Sequence, residues 1–271
     1  MRKQHLPANP FAQNGDVIVL AHRGFRGQYP ENTMLSFQKA AELGVDGLEM
    51  DIHSTKDGVL VVSHDAIVER MTNGSGPIKE MTLAELQQLD AGYRWSADGG
   101  QTFPFRGQGI TIPTLEEVFT AFPQFWINVD IKQSQPAIVT PFVAMIHRFG
   151  MAEQMMVGSF DAATVYQFRR ECPEAATVAS EPEVRRLVIL GKLGLSRFYR
   201  SGAKAMQLPE RNGRLRIVTP RFIRDAHGRG TAVHVWTVNE TADMQRLIKW
   251  GVDGLITDYP DRLLKLLGRL K

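Results

Sequence analysis

Short apolar runs with the character of β-strands alternate with helical patterns along most of this chain. Such alternation predicts a parallel sheet that is wrapped by helices. The predicted strands are 17–21, 46–51, 59–63, 126–131, 155–159, 177–180, 205–208, 232–238 and 254–258. When 59–63 is set aside, eight strands remain, which is the number in a (β/α)8 TIM barrel. A doubly wound open sheet is the competing architecture.

The run at 59–63 requires a different connection from the others. Only a few residues, which end in Asp57 and Gly58, separate it from the strand before it. A gap of this length cannot hold a parallel crossover, so it predicts a hairpin that brings His64 roughly opposite Asp51. Residues 66–112 show no clear alternation. We expect them to form an insertion at the barrel mouth, within one domain that spans residues 1–271.

A short internal repeat supports the barrel. GVDGLEMD at 44–51 and GVDGLITD at 251–258 share their first five residues and a final aspartate. In both copies an apolar strand follows the glycine at once. The repeat therefore places Asp258 at the same level of the rim as Asp51, in a different strand.

The overall composition argues against several classes of protein. A chain of 271 residues with 43% hydrophobic and 23% charged residues can bury the core of a globular enzyme. The net charge of +3 is too small for a nucleic-acid partner, and no nucleic-acid-reading motif accompanies it. No run of 18 apolar residues predicts a membrane span, and residues 1–16 lack the apolar centre of a secretory signal. Because Cys172 is the single cysteine, an intrachain disulfide is impossible, and we expect a cytoplasmic protein.

Three acids fall near the ends of predicted strands. Glu49 and Asp51 are two residues apart on one strand, so both side chains point to the same face. Two carboxylates side by side repel each other unless a cation or protons intervene. Asp130 alternates in phase with Lys132 on another strand, which again suggests a charged ligand. Carboxylate oxygens suit a hard cation such as Ca²⁺ or Mg²⁺, whereas buried acids bound to backbone or lysine are the alternative.

Two histidines also end strand-like runs, and they suggest acid–base chemistry. His22 ends the first strand, and His64 follows the hairpin strand. A lone histidine at a strand end is often structural, but two neighbouring imidazoles can exchange protons with a substrate near neutral pH. Arg23 and Lys132 beside them would attract a phosphate. Trp236 is either packed in the core or part of a pocket wall.

Seven segments of the chain resemble the glycerophosphodiester phosphodiesterase family in their order and spacing. They are AHRG, YPENT, LEMDIHSTKDG, VVSHD, NVDIK, WTVNE and GVDGLITDYPD, and the match runs from about residue 17 to about residue 265. The resemblance implies a (β/α)8 barrel with a small insertion. It also implies metal-dependent hydrolysis of glycerophosphodiesters to glycerol 3-phosphate and an alcohol.

The resemblance assigns roles to individual residues. It implies that His22 and His64 are the catalytic acid–base pair, with His22 as the base. The ligands that it implies for one divalent cation, Ca²⁺ or Mg²⁺, are Glu49, Asp51 and Asp130, and its phosphate-binding residues are Arg23 and Lys132. Many family members carry glutamate where this chain has Asp130. The shorter side chain would then reach the metal through water.

Residues 185–204 suggest a second substrate class. They contain six basic residues and no acid, interleaved with apolar side chains. A solvated helix and loop would explain this pattern, and so would a basic apolar flap in peripheral contact with an anionic membrane or an acyl chain. The chain also resembles the lysophospholipase-D-like subgroup, through INVDIK and VFTAFP. The alternative activity is therefore release of lysophosphatidic acid from lysophospholipids, and a non-catalytic phosphate- or lipid-binding barrel is a distant third.

Overall fold

The computed structural model describes residues 16–270, in which eight parallel strands are arranged around a barrel axis. The strands in chain order are β1 (Ile18–Ala21), β2 (Gly47–Ser54), β3 (Leu60–Val62), β4 (Trp126–Ile131), β5 (Met155–Gly158), β6 (Ala176–Thr177), β7 (Ala205–Pro209), β8 (Arg211–Asn212), β9 (Leu215–Arg216), β10 (Ala232–Trp236) and β11 (Gly254–Thr257). The helices are α1 (Met34–Glu42), α2 (Leu83–Leu86), α3 (Leu115–Ala121), α4 (Val139–Phe149), α5 (Ala162–Glu171), α6 (Glu181–Lys192), α7 (Pro220–His227), α8 (Thr241–Trp250) and α9 (Pro260–Leu266).

The barrel strands pair in the order β6-β5-β4-β2-β1-β11-β10-β7. A single parallel bridge between Val178 and Ala205 connects the two ends of this order, and the Ala179 N–H donates to the Ala205 carbonyl at 2.8 Å. The ring of strands is therefore nearly closed. This confirms the predicted (β/α)8 barrel and excludes the open doubly wound sheet.

The strands and helices bury their apolar side chains in two layers. One cluster fills the barrel interior and includes Ile18, Leu20 and Ile256, while a larger cluster lies between the strands and the outer helices. Helix α4 shows how the sequence produces this packing. Its buried residues recur at helical spacing, so one face of the helix lies against the sheet: Val139, Phe142, Val143 and Ile146. Within residues 16–270, no helix combines the length and the hydropathy that crossing a membrane requires.

Strand β3 forms the hairpin that the short 52–59 connection predicts. It pairs antiparallel with β2, with Val62 opposite Ile52, and the Ser63 N–H donates to the Asp51 carbonyl at 2.9 Å. The hairpin prediction is confirmed. The turn brings His64 back to the end of the strand that carries Asp51.

Strand β6 is shorter than the predicted 177–180 run. Ser180 is the N-cap of α6, and its backbone N–H and side chain both bond to Glu183 in a capping box. Because the capping residue belongs to the helix start, the strand ends at Thr177. With two residues, β6 is therefore the shortest of the eight barrel strands.

Residues 66–112 pack beside the carboxyl ends of the barrel strands. Val68, Ile78 and Leu86 form a small apolar cluster of their own with Val61 of β3. The Trp95 indole N–H donates to the Arg26 carbonyl at 3.3 Å, which attaches this segment to the β1–α1 loop.

Removing a fully buried ring should destabilise the barrel strongly. Phe142 is 0% exposed, and its ring lies 5.7 Å from that of Phe168. We expect Phe142→Ala to lower the free energy of unfolding by about 3–5 kcal/mol, measured by denaturant titration. Phe198→Ala is the matched control, because Phe198 is 58% exposed, and we expect a change within about 0.5 kcal/mol. Equal losses in the two variants would contradict the packing described here.

Candidate active site

A cavity of about 580 Å³ opens at the carboxyl ends of the barrel strands. Its lining includes all eight residues that were predicted for the catalytic, metal and phosphate sites and for the pocket wall: His22, Arg23, Glu49, Asp51, His64, Asp130, Lys132 and Trp236. Carboxyl-terminal strand ends and the loops after them are the usual location of active sites in this architecture. The structure therefore brings together residues that lie as far as 214 positions apart in the chain.

The acids meet because β2 and β4 are adjacent parallel strands. Asp51 lies directly beside Asp130 in the register, and Glu49 lies beside Asn128. Burial, and then the negative charge of Asp51, raise the pKa of Glu49 well above its ordinary value. Burial also raises the pKa of Asp130. A nearby positive charge would stabilise the ionised form of each carboxylate against burial and against the repulsion between the acids.

Two cationic side chains contact the acids directly. Lys132 Nζ lies 3.1 Å from Asp51 Oδ1 and 2.5 Å from Asp130 Oδ2. The Arg23 backbone N–H donates to Glu49 Oε2 at 2.9 Å, and Arg23 Nε lies 3.2 Å from Asp51 Oδ2. With Lys132 between two of the acids, Glu49, Asp51 and Asp130 do not bring one oxygen each within 4.8 Å of one another.

The donor set still fits a hard cation. All three acids offer only oxygen ligands, which Ca²⁺ and Mg²⁺ prefer. Glu49 and Asp51 are almost completely buried. A divalent ion would neutralise the mutual repulsion that, with burial, raises the pKa of Glu49.

His22 is fixed by an aspartate. Its Nδ1 lies 2.6 Å from Asp258 Oδ1, and Asn239 Nδ2 donates to the other Asp258 oxygen at 2.8 Å. Because an ionised carboxylate only accepts, this bond assigns a proton to Nδ1 and makes Nε2 the nitrogen that accepts one. Burial lowers the pKa of His22, although Asp258 opposes that effect. The ring is therefore suited to accept a proton at neutral pH.

His64 is held in the same way from the other side of the cavity. Its Nδ1 lies 2.6 Å from Asp65 Oδ1, and Arg70 Nε donates to the second Asp65 oxygen. The two histidines differ in their surroundings, since the His64 side chain is 34% exposed and that of His22 is 11% exposed.

A single buried carboxylate links these groups. Glu31 contacts Arg23 at 2.8 Å, Arg26 at 2.6 Å and Arg70 at 2.6 Å. Arg26 also lies 3.4 Å from Asp258, the partner of His22. Although burial favours the neutral form, the arginines, Arg70 first, hold the pKa of Glu31 well below its usual range.

Sequence reasoning missed several of these supporting residues. The position of Asp65 next to His64 was an available signal, and the GVDGL repeat had already placed Asp258 at the rim. Arg26 and Arg70 carried no such signal. Arg70 in particular reaches the site from the insertion, 39 residues beyond its partner Glu31.

Part of the cavity wall is apolar. The rings of Phe160 and Trp236 meet edge to face at 6.2 Å, and Lys132 Nζ lies 4.9 Å from the Phe160 ring centre. Trp236 therefore lies on the cavity wall. Apolar residues that continue this wall are Val178, Val184, Leu208, Pro209, Ile217 and Ile256.

Residues 185–204 lie away from the cavity. Helix α6 begins at the mouth, where Glu181 and Val184 line the cavity, and runs about 18 Å from there. The exposed apolar side chains of this segment are Ile189, Leu193, Leu195 and Phe198. Three of the four lie beyond the far end of α6, so they do not cover the mouth.

The glycerophosphoryl diester phosphodiesterase family model matches residues 22–262. The chain belongs to this family. It is 34% identical over 256 residues to a glycerophosphodiester phosphodiesterase of Caldanaerobacter subterraneus subsp. tengcongensis, and covers 98% of that protein with 93% of its own length. It is 28% identical over 276 residues to a lysophospholipase D of Rattus norvegicus, with 93% of this chain and 86% of that protein covered.

Solved structures of the family share the fold. A glycerophosphoryl diester phosphodiesterase domain from Mycobacterium tuberculosis superposes with a TM-score of 0.82 at 24% identity, covering 94% of this chain and 99% of that one. An Oleispira antarctica phosphodiesterase, solved in complex with the product sn-glycerol-3-phosphate, superposes with a TM-score of 0.73 at 25% identity and covers 96% of this chain and 98% of that one.

Neutralising Asp258 should impair catalysis without loss of the fold. In Asp258→Asn the side chain keeps its shape, but the charge that fixes the His22 tautomer is gone. We expect kcat to fall by about 10²–10⁴-fold, measured with a soluble diester. His227→Ala is the control, because His227 pairs with Asp253 at 2.7 Å outside the cavity. A variant of Asp258 with wild-type kcat would contradict the positioning role.

Replacing Glu31 by glutamine should change how stability depends on pH. The pKa of Glu31 in the folded protein lies below its ordinary value of 4.5. The ionised carboxylate therefore stabilises the fold fully above about pH 4.5, and this stabilisation is lost as the pH falls towards the pKa of the folded protein. We expect Glu31→Gln to cost about 3 kcal/mol at pH 7, and the gap from wild type to narrow progressively below about pH 4.5. Denaturant titrations at several pH values measure this, with Glu42→Gln on the surface as control. A gap that does not change with pH would contradict it.

Proposed function

We propose that this chain hydrolyses glycerophosphodiesters to glycerol 3-phosphate and an alcohol, with the help of one divalent cation, Ca²⁺ or Mg²⁺. The observation that carries the proposal is the pair of histidines, each bonded through Nδ1 to a carboxylate at 2.6 Å, in one cavity. Relatives at 30–34% identity are named glycerophosphodiester phosphodiesterases. The bound product in the Oleispira antarctica structure supports the same substrate class.

In this proposal the acids hold the cation and the basic residues hold the phosphate. Glu49, Asp51 and Asp130 are the ligands, and the bound ion would neutralise charge on a phosphoryl oxygen. Arg23 and Lys132 lie against these acids, so their positive charges face the position of the diester. Glu31 contacts the Arg23 guanidinium at 2.8 Å and keeps it in place.

His22 is the proposed general base and His64 the general acid. Nε2 of His22 takes the proton from the attacking hydroxyl, which is water or the neighbouring glycerol hydroxyl, as the new P–O bond forms. Attack by the glycerol hydroxyl gives a cyclic phosphodiester, and a second attack, by water, opens it to glycerol 3-phosphate. Asp258 stabilises the imidazolium that results. His64, held by Asp65, gives a proton to the departing alcohol oxygen as the old P–O bond breaks.

We further propose that residues 1–271 act as one catalytic domain in which 66–112 is an insertion at the mouth. Arg70 from this segment holds Asp65 and Glu31, and Trp95 contacts the loop that carries Arg26. These contacts give the insertion a direct part in supporting the site. We place the enzyme in the cytoplasm.

Lysophospholipids are the second candidate substrate, and the apolar wall favours them. Phe160 is 72% exposed and meets Trp236 at the mouth, where an acyl chain could extend from a bound phosphate. Lysophospholipase D relatives are 28% identical to this chain. In this version residues 185–204 provide a peripheral contact with anionic membrane, with the mouth at the other end of α6.

Product identification tests the reaction and its metal requirement. We expect choline release from glycerophosphocholine with Ca²⁺ or Mg²⁺, loss of release with EDTA, and a fall of roughly 10²–10⁴-fold in His22→Ala and in His64→Ala. Mass spectrometry of the products measures all of these. Full activity in EDTA would remove the cation from the proposal, and full activity in either variant would remove that histidine.

The same assay with lysophosphatidylcholine separates the two substrates. Release of choline from lysophosphatidylcholine alone would assign lysophospholipase D activity. Co-sedimentation with anionic liposomes that Leu193→Ser and Phe198→Ser abolish would separately assign the membrane contact to residues 185–204. Release from glycerophosphocholine alone would assign the soluble diesters.

A further inference from the structure

A second cluster of metal-ligating side chains lies outside the cavity. Within residues 16–270, one trio of histidine, cysteine and acidic ligand atoms falls within 4.8 Å of one another: His147, Cys172 and Glu174. Sγ of Cys172 lies 3.9 Å from Nε2 of His147, which lies 2.6 Å from Oε1 of Glu174. None of the three takes part in the proposed hydrolysis.

These donors match a different class of metal from the one that suits the active site. Imidazole nitrogen, thiolate sulfur and carboxylate oxygen together are typical ligands of Zn²⁺, whereas Ca²⁺ and Mg²⁺ prefer oxygen alone. Around a tetrahedral zinc ion, neighbouring donors are separated by roughly 3.3–3.8 Å. The sulfur–nitrogen pair is already close to that spacing, and the nitrogen–oxygen pair has to open by about 0.7 Å to reach it.

The cluster is built to adjust in this way. Cys172 is completely buried at the end of α5, so its sulfur is fixed by the packing around it. The side chains of His147 and Glu174 are 52% and 45% exposed, so both can rotate toward a common ion.

The location indicates what a bound ion would do. His147 lies in the last turn of α4, which leads to β5, and Cys172 and Glu174 lie on the connection from α5 to β6. These connections are at the amino ends of the strands, the end of the barrel opposite the cavity. Strand β6 has two residues, and one bridge at Val178 joins its side of the ring to β7.

We propose that His147, Cys172 and Glu174 form a structural Zn²⁺ site that ties α4 to the α5–β6 connection. Water completes the tetrahedral coordination. The ion takes the Cys172 side chain as thiolate and releases its proton to solvent. The site anchors the connection that leads into β6, the two-residue strand beside the single bridge to β7.

Cobalt substitution tests the proposal, because Cys172 is the only cysteine in the chain and only it can give a thiolate-to-cobalt charge-transfer band. The full chain, stripped with EDTA and then saturated with Mg²⁺ to fill the oxygen site, is titrated with Co²⁺. We expect a saturable near-ultraviolet band at one equivalent, lost in Cys172→Ser and weakened at least tenfold in affinity in His147→Ala. His227→Ala should keep the band, because His227 makes a similar histidine–carboxylate contact with Asp253 at which no sulfur is present.

A stability measurement with zinc completes the test. With the oxygen site kept saturated with Mg²⁺, Zn²⁺ should raise the Tm of the wild type and of His227→Ala by more than that of His147→Ala at the same zinc concentration. The exposed position of His147 makes that variant safe for folding even if Cys172→Ser proves unstable. Absence of the cobalt band, or a band that His147→Ala retains at full affinity, would overturn the proposal.

Discussion

The ion pairs of Glu31 are the interaction on which the site depends. One buried carboxylate holds three guanidinium groups, and each of them leads to a different part of the cavity. Arg23 leads to Asp51, Arg26 to Asp258, and Arg70 to Asp65. Removing the buried Glu31 carboxylate would leave all three guanidinium groups without this partner, at a cost of about 3 kcal/mol, so Glu31 holds them in a single arrangement.

This arrangement explains why two histidines in one cavity have different surroundings. Asp258, which orients His22, is itself held by Asn239 and Arg26 close to the barrel axis, where burial lowers the pKa of the imidazole. Asp65, which orients His64, is held by Arg70 at the edge of the insertion, where His64 remains partly exposed. The proposed base is thus enclosed by the barrel, and the proposed acid faces the side from which solvent and a departing alcohol have access.

The sequence predicted the parts of this protein that depend on local pattern. The β4 range 126–131 matches the prediction residue for residue, because an apolar run buried on both sides needs no distant partner to be recognised. The start of α3 depends on an equally local pattern, since the capping box of Thr114 and Glu117 is complete within four residues. The predicted end of β6 at residue 180 was wrong, because Ser180 caps helix α6 and does not extend the strand.

The contacts of the supporting residues could not be predicted, because their partners are distant in the chain. Glu31 and Arg70 are 39 residues apart, and His22 and Asp258 are 236 apart. The parallel pairing of the first and last barrel strands, β1 and β11, brings Asp258 to His22. A motif identifies which side chains carry chemistry, whereas long-range pairing decides which neighbours orient them.

Substrate selection and membrane contact would take place at opposite ends of α6. The reacting phosphate would meet the same acids and histidines in any glycerol diester, so discrimination between diesters has to come from the wall around Phe160 and Trp236. The exposed side chains of Leu193 and Phe198 lie beyond the far end of α6, a helix about 18 Å long that begins at the mouth. A membrane bound by them would face away from the mouth and could not deliver a lipid directly into the cavity. If this enzyme acts on lysolipids, it therefore takes them as monomers through the mouth, and the apolar wall alone provides the contact with the acyl chain.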